Sequence, residues 1–164
     1  MFYLDLFSAL HRHEVEYALI GGLAVALHGV ERNTMDVDIA LALSPGNVDR
    51  FLQAAQELNL TPVLPVPIAT LRDTETLRDW RQRRHLQAFG LRAPGVAGVT
   101  LDVLLFPPID PQTLHQRALL LDIAGVPVRV AAIDDLIVLK QHAGRPLDLD
   151  DVAHLQHIKA AKKP

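Results

Sequence analysis

The sequence predicts an α/β (α+β) protein of one domain, and three features carry that expectation. A short apolar run over residues 17–20 stops at Gly21-Gly22 and passes into an Ala- and Leu-rich stretch that ends at Gly29. A second apolar run follows, in which Met35, Val37, Ile39, Leu41 and Leu43 alternate with Asp36, Asp38, Ala40 and Ala42, the period-two pattern of a strand. Further apolar runs follow at 86–91 and 99–106, joined by a turn at Pro94-Gly95, and at 122–130, with stretches of helical character before and between these groups, so strands and helices interleave along the chain.

Composition bounds the rest. A chain of 164 residues fits one domain with at most a small helical extension, and 49% hydrophobic residues suffice to fill a core. A net charge of −3 and a sequence pI near 6.2 exclude a generally basic nucleic-acid coat, though not a local basic patch. Without cysteine there can be no disulfide, thiolate zinc site or cysteine nucleophile. Residues 1–10 contain Asp5 and no basic leader before a long apolar core, so no signal peptide is expected there. No apolar run approaches the ~18–20 residues that cross a bilayer, and the expected location is the cytoplasm, with no membrane partner.

In chain order, residues 2–13 read as an amphipathic helix and 17–20 as the first strand. A helix over 23–27 stops at His28-Gly29, where His28 suits capping or packing better than ligand contact. The strand from Met35 follows a polar turn, and Ser44-Pro45 opens a helix running to about Leu58. Residues 61–64 make a short strand, and the prolines of 62–68 a loop. The arginine-rich stretch 69–85 carries acids as well, which favours a solvated helix over an RNA-binding acceptor surface. Strands at 86–91 and 99–106 precede a helix over 111–120, a hairpin turning at Ala124-Gly125, and a helix over 132–142. Gly144-Arg145-Pro146 then leads into a last helix over 148–159, whose Asp148, Asp150 and Asp151 suit the helix dipole better than a metal. The division expected is a core of 1–131 and a helical extension of 132–164 packed on it.

The candidate site lies in the first third of the chain. Asp36 and Asp38 would point to opposite sides of a helix, but on a strand they share a face, ~6–7 Å apart. An edge strand with one wet face is the plain alternative. Against it, aspartate is a poor strand former, and alanines continuing the same face suit close packing. A divalent cation, Mg²⁺ or Mn²⁺, would compensate, because such ions prefer hard oxygen ligands. Gly21 and Gly22 let a ligand approach peptide N–H groups with no Cβ in the way, although an ordinary strand-to-helix turn also needs glycine. Arg32, Thr34, Asp36 and Asp38 alternate, so all four share a side if the strand begins early. Arg32 could then hold a phosphate or a neighbouring carboxylate, or make an ordinary surface salt bridge, whereas Thr34 suits a local hydrogen bond better than contact with a substrate. Asp102, alone in the apolar run 99–106, is costly to bury unless paired with an arginine or with a cation shared with Asp36 and Asp38.

Gly21-Gly22, Asp36-x-Asp38 and the distant Asp102 resemble the nucleotidyltransferase superfamily with the DNA polymerase β-like fold. The string Gly-Gly-x-Ala-x-x-x-His-Gly-x-x-Arg-x-Thr-x-Asp-x-Asp, from Gly21 to Asp38, is similar to its small bacterial branch of minimal and toxin-type transferases, as is Lys140-x-x-x-Gly144-Arg145-Pro146-x-Asp148-x-x-Asp151. The second turn position is Gly22, so the serine hydroxyl that the family can offer there is missing. The resemblance implies a mixed sheet flanked by helices and transfer of a nucleoside monophosphate from a nucleoside triphosphate to a hydroxyl. It implies two-metal catalysis, with Asp36 and Asp38 holding Mg²⁺ on the triphosphate and Asp102 binding the second metal and helping to activate the acceptor hydroxyl. Gly21, Gly22, Arg32, Thr34 and Lys140 fall on the nucleotide side. The acceptor, RNA or a small molecule, is not specified. A catalytically silent member that binds a nucleotide or a partner protein, as in a toxin–antitoxin pair, is the competing reading. A Ser-His-Asp hydrolase is disfavoured because Ser8 and Ser44, the only serines, sit in helix positions with no nucleophile elbow.

Overall fold

The computed structural model describes residues 1–162, so the last two residues of the expected 132–164 extension lie outside the described residues. Helix α1 (Phe2–Arg12) buries Leu6, Phe7, Ala9 and Leu10 and leads to β1 (Tyr17–Ile20), all four of whose residues are buried. Helix α2 (Gly21–Leu27) begins at the glycine pair itself, two residues before the sequence places it, and the chain leaves it through Gly29 at φ +107°. Strand β2 (Val37–Leu41) is followed by α3 (Pro45–Glu57), which Ser44 precedes without making a side-chain cap.

A short β3 (Thr61–Pro62), a 3₁₀ turn (Ile68–Arg72) and α4 (Thr74–Arg83) come next. The polar stretch 69–85 is therefore a turn and a helix, with the break at Asp73, whose carboxylate caps α4 by accepting from Thr76 N. Strands β4 (Ala88–Arg92) and β5 (Thr100–Leu104) follow, then α5 (Pro111–Arg117). The expected helix over 111–120 is too long. Ala118 turns extended, and β6 (Leu119–Ile123) takes Leu119 and Leu120 into a hairpin with β7 (Val126–Val130). Pairing with β7 outweighs the helical pattern there. Two helices close the described chain, α6 (Ile133–Ala143) and α7 (Pro146–Ala161), separated by Gly144 at φ +66°.

The strands form one mixed sheet in the order β3-β4-β5-β2-β1-β7-β6. Strand β2 runs antiparallel to β1 and parallel to β5, and β1 runs parallel to β7. Helices α2 and α5 each pack against both β1 and β2, while α6 and α7 pack on each other and α6 reaches α2. Ala40 and Ala42 are buried, as close packing of their face requires. The core joins Phe7, Tyr17, Leu19, Ile39, Phe51, Phe89 and Leu101, and no helix among the described residues is long and apolar enough to cross a membrane.

Candidate active site

The register of three strands gathers the acids. Ile20, the last residue of β1, pairs with Asp38 on β2, and Asp38 pairs in turn with Asp102 on β5. Asp102 faces Gly90 across the β4–β5 ladder, where a Cβ would come within 3.2 Å of Asp102 Oδ1 and of Val63 Cγ2. Gly21 follows Ile20 directly, at φ +71°, and a Cβ there would fall within 2.9 Å of Asp38 Cβ and Cγ and closer still to its carboxylate. This glycine is needed twice, for its backbone conformation and for the space. The Asp38 carboxylate therefore lies directly against the β1–α2 turn.

Asp36 stands apart from its expected place. Strand β2 starts at Val37, because the preceding residues lack ladder partners, so the early start that would align Arg32 and Thr34 with the acids does not occur. Asp36 is exposed, and its Oδ1 accepts from Thr100 N at 3.2 Å. Thr34 is half-buried, its Oγ1 donating to Asp36 O at 3.5 Å, the local bond expected of it.

The electrostatics follow from this crowding. Burial first, then the charge of Asp102 and the weaker one of Asp36, push the Asp38 carboxyl up to about 6, with Lys140 and Arg145 opposing the rise. Asp102 is also raised, by burial and then by Asp36, with hydrogen bonding from the Thr100 and Asp38 side chains holding it back. Two half-buried acids on paired strands repel each other, and a cation between them would relieve both. Among the described residues, no three His, Asp or Glu side chains stand grouped as a complete metal site. The carboxylate chemistry fits Mg²⁺ or Mn²⁺, and the Thr100 N–H bond engages only Oδ1 of Asp36, so it does not bar that carboxylate from joining the other two.

Arg32 and Lys140 sit on the helical side of the turn. Arg32 packs its guanidinium on Gly22, where a Cβ would meet Nε at 2.7 Å, and pairs with Asp151. Its Nε is buried with no hydrogen-bond partner among the described residues. Lys140 Nζ lies 3.1 Å from Asp148 Oδ1 and 3.0 Å from Asp151 Oδ2, all three side chains being buried. Arg145 Nε donates to Asp148 Oδ2 at 2.7 Å, and Arg145 N donates to the same oxygen at 3.3 Å, so Asp148 does cap α7 as its position suggested. Burial alone would raise Asp148, but the Arg145 and Lys140 hydrogen bonds hold its carboxyl below the usual range. Asp151 is different: it neutralises two buried cations instead of serving the helix dipole. Its signal was the three-residue spacing from Asp148, which puts both carboxylates on one helix face opposite a lysine of the preceding helix.

No family model and no curated protein matches the chain. Solved structures do. An antigenic nucleotidyltransferase-like protein from Paracoccidioides brasiliensis aligns over 93% of this chain and 74% of its own at 23% identity, with a TM-score of 0.56. The lincosamide antibiotic adenylyltransferase LnuA, bound to lincomycin, aligns over 96% of this chain and 94% of its own at 15% identity and a TM-score of 0.55. ANT(2'')-Ia, in complex with adenylyl-2''-tobramycin, aligns over 98% of this chain and 94% of its own at 13% identity and a TM-score of 0.53. Such identities speak for the backbone architecture: the chain carries the fold of the nucleotidyltransferase superfamily.

Proposed function

We propose that the protein transfers a nucleoside monophosphate from a nucleoside triphosphate to a hydroxyl acceptor. The observation that carries this reading is the pairing of Asp38 with Asp102 on adjacent strands, directly beside the Gly21 turn. Peptide N–H groups at Gly21 and Gly22 receive the triphosphate, Arg32 adds a donor through its Nε beside Gly22, unpartnered among the described residues, and Lys140 stands behind it in the Asp148–Asp151 cluster. Asp36, Asp38 and Asp102 would hold a divalent cation, Mg²⁺ or Mn²⁺, which when bound neutralises charge on the phosphate oxygens. The acceptor oxygen forms a bond to the α-phosphorus, the bond to the β-phosphate oxygen breaks, and pyrophosphate leaves with that electron pair. The hydroxyl proton passes to Asp102, the acid on β5 beside Asp38. The core of 1–131 and the extension of 132–164 act as one unit on this reading, since Arg32 of the first and Asp151 of the second share an ion pair.

The test is release of pyrophosphate from each nucleoside triphosphate, with Mg²⁺ and a mixed acceptor pool, by wild type and by Asp38→Asn. Activity in the wild type that the variant lacks supports the reading, and equal behaviour refutes it. A second reading, a nucleotide- or protein-binding member without turnover, is favoured by the place of Asp36, exposed and one residue before β2 begins. Tight nucleotide binding with no product from any acceptor would select it.

A further inference from the structure

A cleft of about 690 Å³ opens between Asp36 and the β4–β5 connection, lined by Arg92, Gly95, Val96, Gly98 and Thr100 among others. Its position is set by strand order. The glycine turn sits at the end of β1, the acids stand on β2 and β5, and Arg92 pairs with Thr100 across the β4–β5 ladder. Gly21 and the cleft therefore lie on opposite sides of Asp38 and Asp102 along the sheet, with Asp36 on the cleft's own wall. Displacement at phosphorus runs in line, so the attacking oxygen enters from the side away from the leaving pyrophosphate. With the triphosphate at Gly21-Gly22, the acceptor side is the side of this cleft.

The lining also limits what the acceptor is. Its only carboxylate is Asp36, which the transfer reading assigns to the cation, and its only formal cation is Arg92. Arg92 is exposed and makes no ion pair or side-chain hydrogen bond among the described residues. The remaining side chains lining the cleft are small and uncharged, apart from the Thr100 hydroxyl. A polycationic acceptor would find one acid there and an opposing guanidinium. An anionic group would find a planar fork of donors free to take it.

We propose that this cleft is the acceptor subsite and that it takes a sugar hydroxyl with a phosphate nearby, held by Arg92. The inference rests on the nucleotidyl-transfer reading. The acceptor hydroxyl attacks the α-phosphorus of the nucleoside triphosphate, giving a phosphodiester, pyrophosphate and a proton taken up by Asp102. The same chemistry is offered by the 3′ end of an RNA strand and by a small sugar phosphate.

The test is a titration of the isotope-labelled chain, followed at the amides of Gly95, Val96, Gly98 and Thr100. The probes are a ribotrinucleotide with a free 3′-hydroxyl, ribose 5-phosphate and tobramycin, each added to wild type, Arg92→Gln and Arg92→Glu. The expected result is movement of these amides by an anionic probe, with affinity lost on the order of tenfold in Arg92→Gln and more in Arg92→Glu. The tighter of the two anionic probes identifies the source. Silence with both anionic probes, movement with tobramycin alone, or unchanged binding in both variants overturns the proposal. A parallel titration with ATP and Mg²⁺, read at Gly21 and Gly22, separates the two claims. If ATP leaves those amides unmoved, the transfer reading fails, whatever the cleft does.

Discussion

Asp38 and Asp102 are register partners on neighbouring parallel strands, and each is harder to ionise than an ordinary aspartate. The fold therefore places two like charges together in a partly buried spot beside Gly21, where a Cβ would collide with the Asp38 side chain. Such an arrangement works against stability and is retained where a ligand relieves it.

A pH-dependent stability follows. Asp38 is raised to about 6 in the fold from 3.8, so above pH 6 it is ionised in both states and opposes folding in full. As pH falls from about 6 to 3.8 the folded state takes up the proton first and the penalty disappears. Asp38→Asn should then be more stable than wild type at pH 8, by about 1–3 kcal/mol, with the difference gone near pH 4. Thermal unfolding at the two pH values checks this. Mg²⁺ should raise the wild-type Tm at pH 8 and leave that of Asp38→Asn nearly unmoved.

The ion cluster behind the turn should respond in the opposite sense. Asp151 is 4% exposed and Lys140 8%, so Asp151→Ala removes a carboxylate that both Lys140 and Arg32 use. Lys140 keeps Asp148, but Arg32 loses its only ion-pair partner among the described residues. Breaking such a buried pair costs about 3 kcal/mol or more, to be measured by urea unfolding. A cost below about 1 kcal/mol, the size of a surface pair, would show that the cluster is solvated.

The glycines separate conformation from space. Gly21 and Gly125 both have positive φ, but a Cβ at Gly125 meets nothing within 4 Å, whereas at Gly21 it runs into Asp38. Gly125→Ala should cost about 1 kcal/mol of stability and no activity. Gly21→Ala should cost more and abolish transfer, since the carboxylate it displaces belongs to the proposed site. Unfolding curves and a turnover assay on the same two variants check the contrast.

Much of this site was legible because its signals are local. Alternation from Val37 to Leu41 fixed which face Asp38 shares, and the glycine pair marked where β1 ends. The lone acid in an apolar run singled out Asp102. What local pattern could not show was partnership across the chain. Asp151 and Arg32 are 119 residues apart, so Asp151 looked like one more acid at a helix start. Asp36 was placed on the strand by alternation, yet the ladder begins one residue later and leaves its side chain to the Thr100 amide. The end of α5 was misjudged for a related reason, since Leu119 and Leu120 answer to β7, beyond the reach of helical periodicity.

The most direct measurement supplies each nucleoside triphosphate, labelled at the α-phosphate, with Mg²⁺ and total cellular RNA or a small-molecule extract, and follows label into product. Wild type should label one class of acceptor, while Asp38→Asn and Asp102→Asn, each shown to be folded, should label none. Equal labelling by all three proteins would contradict a catalytic role for the paired aspartates.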